Sequence, residues 1–240
     1  MIALATPAED RDVTIARLLS VGGELVLGAH CPGCGASGLG VCAGCRTAIA
    51  VRPVAVAGLP PGLPAVVAGG RYDGELRRLL LAAKERDALG AVPVLAERLA
   101  VALARLLLDR PELAAGGLLI VPVPTARAAA AERGLDLTLA LARLAARRLR
   151  GTGLDVRASA GLRQVRRPAD QADLGREGRL ANLAGAFTAG RLPPGELLLV
   201  DDIVTTGATL VEAVRALRAA GREPFAVATV AATTRRITPS

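Results

Sequence analysis

The chain has 240 residues, 52% of them apolar, and carries a net charge of +8. That length suits one α/β domain with a small appendage, and so apolar a composition excludes global disorder. Aromatic residues make up only 1% of the chain (Tyr72, Phe187 and Phe225), so a core of Leu, Val and Ala is expected.

Residues 10–20 have the spacing of a short amphipathic helix. No secretory signal is expected at the start, because the apolar stretch from Val13 to Ala29 is broken by Arg17 and Glu24. Cys31-Pro-Gly-Cys34 and Cys42-Ala-Gly-Cys45 follow as two C-x-x-C knuckles, seven residues apart. Four thiolates in that arrangement suit a closed tetrahedral Zn²⁺ site of structural type. His30 is the only histidine and is expected to be a bystander beside a complete ligand set. A single histidine also argues against zinc-hydrolase signatures and a Ser-His-Asp triad.

Residues 51–70 are rich in proline and glycine and too broken for a membrane helix, so they read as a linker. The expected organisation is a zinc module at 1–50, a linker at 51–70 and an α/β domain at 71–240. A protein with no membrane segment, cytoplasmic and with reduced thiols, is expected.

Beyond the linker, helices and strands alternate. Helical spacing covers Glu75–Ala83, Val92–Leu108, Leu135–Leu149 and Thr209–Ala220. Strands are expected at Gly117–Val123, Leu197–Val200 and Phe225–Ala231. The alternation points to a doubly wound, mostly parallel sheet. Arg163–Arg179 is polar and arginine-dense and reads as a long loop leading into a short helix. Lys84 is the only lysine in a chain whose other cations are all arginine. Pro122-Val-Pro124 through Arg133-Gly134 forms a second strand-to-loop junction with cations.

The segment Leu197–Leu210 is the most informative. A buried strand leads to Asp201 and Asp202, then to the loop Thr205-Thr206-Gly207-Ala208-Thr209, then to a helix. A helix N-terminus beyond a strand end offers free N–H groups and a positive dipole end to a phosphate. Gly207 permits close backbone approach, and the threonine hydroxyls can donate to phosphate oxygens. Two acids beside such a loop would repel bare phosphate but suit the two hydroxyls of a ribose, with Mg²⁺ offsetting charge. A ribose 5-phosphate fits both halves of the segment.

This string resembles the phosphoribosyl pyrophosphate (PRPP) motif of type I phosphoribosyltransferases. Taken together with the cysteine knuckles, Tyr72-Asp-Gly…Lys84, Val121-Pro-Val-Pro124…Arg133-Gly134 and Arg163…Gln171…Arg179…Asn182, it makes the chain similar to the ComF family from about Cys31 to about Thr234. The chain departs from that family at Leu135-Asp-Leu137 and at Arg167-Pro-Ala-Asp170. The resemblance implies a type I phosphoribosyltransferase fold with an N-terminal zinc knuckle and binding of Mg-PRPP. PRPP contacts would come from Asp201, Asp202, Thr205, Thr206, Gly207, Ala208, Thr209, Arg133 and Gln171. The catalytic residues it implies are Asp201, Asp202, Lys84 and Arg163. Transfer to a nitrogen nucleophile with loss of pyrophosphate stands beside two alternatives: a PRPP sensor without turnover, or a single-stranded-DNA-handling protein of the DNA-uptake type. In either alternative the zinc module could meet DNA or a protein partner. The shortage of aromatic platforms weighs against stacking on single strands.

Overall fold

The computed structural model describes residues 30–86, 88–125, 136–166 and 176–233. The expected helix at 10–20 lies outside them, as do Arg133 and Gln171. Within them, a six-stranded sheet has the order β1-β2-β8-β7-β3-β4. Its strands are β1 (Val54–Ala55), β2 (Ala65–Ala68), β3 (Leu118–Pro122), β4 (Val156–Ala158), β7 (Glu196–Val204) and β8 (Ala226–Ala232). All neighbours pair in parallel except β1 with β2. The helices are α1 (Ala43–Ile49), α2 (Gly74–Glu85), α3 (Val92–Leu108), α4 (Leu137–Arg150), α5 (Arg176–Leu183) and α6 (Ala208–Ala219). A separate antiparallel pair, β5 (Leu162–Gln164) and β6 (Phe187–Ala189), brackets α5 in the chain.

The period of two along each strand divides the core. Ile120, Leu198, Val200, Ala226 and Ala228 face one way and pack with α2, α3 and α4. Leu119, Val121, Leu197, Leu199 and Val227 face the other way and pack with α6. A sheet covered on both faces needs strands that are apolar throughout, which is why β3 and β8 are buried along their whole lengths.

Residues 51–70 are more than a linker. They contribute β1 and β2, and β2 pairs in parallel with β8 from Ala65↔Ala226 to Ala68↔Thr229. Parallel pairing is non-local, so a four-residue Ala-Val-Val-Ala strand among prolines has no local signature. Arg98 of α3 secures this region. Its guanidinium is buried and donates to the carbonyl oxygens of Val51 and Gly69, the latter from Nε at 3.0 Å. Gly69 is required there, because a Cβ would collide with the backbone oxygen of Arg98.

The cysteine knuckles are also not a detached module. Cys31, Val41, Cys45 and Ile49 belong to the same core cluster as Leu76, Leu79, Leu80 and Leu95. Among the described residues, no helix is long and apolar enough to cross a membrane.

Two further expectations are corrected. The strand expected at Leu197–Val200 runs on to Val204, so both acids lie within β7. β3 ends opposite Val200, but β8 continues the ladder through Asp201↔Thr229 to Val204↔Ala232. The helix expected from Leu135 starts at Leu137, because the Asp136 carboxylate accepts from Leu139 N at 3.0 Å and caps it.

Candidate functional site

Strands β3 and β7 are neighbours whose connections diverge. From β3 the chain passes through α4 to β4 on one side; from β7 it passes through α6 to β8 on the other. Their carboxyl ends therefore open a crevice, the place where ligands bind in open α/β sheets. A cavity of about 470 Å³ occupies it. Val123, Pro124 and Thr125 line it from the end of β3, Leu137 and Thr138 from α4, and Tyr72 and Lys84 from the α2 region. Asp201, Asp202, Ile203, Thr205 and Thr209 line it from β7 and the start of α6.

The two acids alternate across β7 and meet different surroundings. Asp201 is buried and accepts from Asp202 N at 2.8 Å. Burial pushes its carboxyl well above the usual carboxylate range. The Asp202 charge adds to that rise and Asp136 adds further, while the Asp202 N–H and the charge of Lys84 partly oppose it. Asp202 is ion-paired with Lys84 Nζ at 2.7 Å. The only lysine of the chain thus neutralises the more accessible acid.

The turn into α6 is built by Thr206, Gly207 and Ala208. Gly207 has φ +81°, and Thr206 Oγ1 accepts from Ala208 N at 3.4 Å. Thr205 and Thr209 project to the cavity. A Cβ on Gly207 would stand 3.0 Å from Pro60 Cδ and 3.1 Å from Leu59 Cδ2, so the 51–70 segment buttresses this turn. Gly207→Val is expected to destabilise the chain by at least about 2 kcal/mol, from left-handed backbone and collision together, read as a lower urea midpoint.

The cavity's second polar wall was not identified from the sequence. Thr125 Oγ1 donates to Asp136 Oδ1 at 3.0 Å, so one carboxylate both caps α4 and fixes the loop after β3. Thr138 follows on the same turn, buried and lining the cavity. The signal was present as a capping residue before a periodic helix.

Arg163 is placed elsewhere. It sits exposed on β5, opposite Thr188, and is not among the residues lining the cavity. The β5–β6 pair is tied to α6 by a buried carboxylate. Glu212 accepts from Phe187 N at 3.1 Å, and Arg215 donates to both Glu212 and Phe187 O. Burial alone would raise the Glu212 carboxyl, but the Arg215 hydrogen bond and the Phe187 N–H outweigh it and hold it below the usual range.

The sulfurs of Cys31, Cys34, Cys42 and Cys45 all lie within 4.8 Å of one another, a group that could hold a metal ion. Cys34 and Cys42 Sγ are 3.6 Å apart. Tetrahedral zinc with Zn–S near 2.3 Å needs sulfurs about 3.8 Å apart, so the donor set fits. Burial acts to raise the Cys31 thiol, but N–H groups of Cys42, Cys34 and Gly33 outweigh it and bring it down to about 6. Burial and the neighbouring sulfurs push the Cys45 thiol up. Comparison of the chain with protein-family models and with curated proteins returned no match.

Proposed function

We propose that the crevice binds PRPP with Mg²⁺, and that the chain is a ComF-like protein of type I phosphoribosyltransferase fold that passes the phosphoribosyl group to a nitrogen nucleophile and releases pyrophosphate. The observation that carries this proposal is the meeting, in one cavity at the β3/β7 divergence, of paired carboxylates with a helix start that opens on a left-handed glycine. The 5-phosphate would sit at the α6 N-terminus, against Thr205 and Thr209. Asp201 and Asp202 would accept the ribose hydroxyls and offset positive charge developing on the ring as pyrophosphate departs. Lys84, held by Asp202, lowers the repulsion that two bare acids would exert on an anionic ligand.

Asp201 and Asp202 suit a cation that arrives with the ligand. Among the described residues no third acid gathers with them, so its other ligands would be pyrophosphate oxygens and water. When bound, Mg²⁺ would screen the leaving group's charge. The cysteine cluster would hold Zn²⁺ as a structural ion in a reducing cytoplasm.

Isothermal calorimetry tests this proposal. One PRPP per chain is expected to bind in Mg²⁺ buffer and not in chelator, with binding lost in Asp201→Asn/Asp202→Asn. Absent heat with wild type, or unchanged affinity in the double variant, would overturn it. Pyrophosphate release across a panel of bases and amines then separates transfer from sensing.

A further inference from the structure

The knuckle and the cavity share one helix. α2 has 12 residues, about 18 Å of helix. Its first half faces the cysteines. Arg78 Nε donates to Gly33 O, inside the first knuckle, at 2.6 Å. Leu79 is fully buried there, and a Cβ on Gly33 would lie 3.3 Å from Leu79 Cδ2 and 2.8 Å from Cys45 Sγ. The knuckle backbone therefore rests on the helix with no room for a side chain. The last turn of the same helix carries Lys84, whose Nζ meets Asp202 in the cavity at 2.7 Å. The helix between them is rigid on this scale, so a shift at one end is carried to the other.

We propose that the metal-loaded cysteine cluster sets the position of Lys84 through α2, with Arg78 as the positioning residue, so that metal occupancy and the closure of the Lys84–Asp202 pair are linked. Four thiolates drawn onto one ion hold Gly33 O where Arg78 reaches it. Once the metal leaves, the bonds that draw the four sulfurs together are lost, the knuckle is freed, and the seat of Leu79 and Arg78 goes with it. The lysine–carboxylate pair then loosens. Linkage is reciprocal, so whatever binds at Asp202 and Lys84 changes metal retention by the same factor. None of this depends on which ligand the cavity takes.

The chain's single lysine makes the test direct. Labelling with [¹³C,¹⁵N]-lysine gives one side-chain spin system, that of Lys84. Asp202→Asn supplies the reference signal for a broken pair. In zinc-loaded wild type the Lys84 signal is expected at a distinct, paired position. Zinc-loaded Arg78→Met, which keeps all four sulfurs and every cavity residue, is expected to raise the unpaired population at least about fivefold, the lower end of ordinary coupling. Leu79→Ala, which empties the packing beneath Gly33, is expected to do the same. Chelation of wild type should drive the signal furthest toward the reference. A Lys84 signal unmoved in both zinc-loaded variants overturns the proposal, whether or not the metal-free chain stays folded. Failure of PRPP to bind would leave these outcomes unchanged, so the two proposals fall separately.

Discussion

Serine in place of Cys45 is expected to release the metal and to lower the melting temperature by on the order of 10 °C. Cys45 is 3% exposed and belongs to the same core cluster as Leu76, Leu79 and Leu80 of α2. Loss of a structural metal belongs to the few changes that exceed about 4 kcal/mol. For a chain of this size each kcal/mol moves the midpoint by about 2–4 °C. A detached zinc module could unfold alone and leave the domain's transition unchanged. This knuckle cannot, because Cys31, Val41, Cys45 and Ile49 cover leucines of the central core. Scanning calorimetry with metal analysis checks the point. One zinc per wild-type chain, none in Cys45→Ser and a single lowered transition are expected. Metal-free wild type melting at the same temperature as loaded protein would refute it.

Asparagine at position 201 is expected to weaken Mg-PRPP binding about 10- to 150-fold while making the free protein more stable at neutral pH. The first effect follows from losing a charge-assisted hydrogen bond of about 1.5–3 kcal/mol. The second follows from the environment of Asp201. Burial and the adjacent Asp202 raise its folded pKa above the unfolded value. A raised carboxyl contributes stability that is complete below the unfolded pKa, near 3.9, and is lost as pH rises through the folded value. Asparagine carries no such penalty, and its side-chain oxygen can still accept from Asp202 N. The variant should therefore melt above wild type at pH 8, and the gap should close toward pH 4. Glu212 acts in the opposite sense. Its folded pKa is depressed, so its contribution is lost as pH falls, but equally in both proteins, and the difference between the two melting curves isolates Asp201. A variant less stable than wild type at pH 8 would show that the Asp201 charge is held without strain. A stabilising change that weakens binding is what a strained ligand site predicts.

Much of the fold was legible because its signals are local. Val92–Leu108 forms a helix over the bounds its 3.6-residue period marks, with Pro93 in its first turn. β3 and β8 are apolar along their lengths because both sheet faces are covered, and the sequence carries that directly. The cysteine knuckles announce themselves by spacing, and the four sulfurs do converge. The placement of Asp201, Asp202, Thr205 and Thr209 around one cavity follows from a contiguous strand–turn–helix, which a local string can specify.

Partners brought together from distant segments were not legible. β2 exists as a strand because β1 and β8 lie beside it, and its residues alone read as linker. Asp136 could be recognised as a cap, but its hold on Thr125 depends on where the loop after β3 returns. The resemblance implies a catalytic role for Arg163, but its pairing opposite Thr188 on the separate β5–β6 sheet, which no local pattern shows, leaves it off the cavity lining. The sequence by itself thus determined the elements, the sulfur set and the acid–acid–turn segment, since each depends on neighbours in the chain. Only the tertiary structure decided that the knuckle is part of the core, that residues 59–60 brace Gly207, and that Lys84 closes on Asp202. Those are contacts between separate segments, set by how helices pack on the two faces of a twisted sheet, and no local period encodes them.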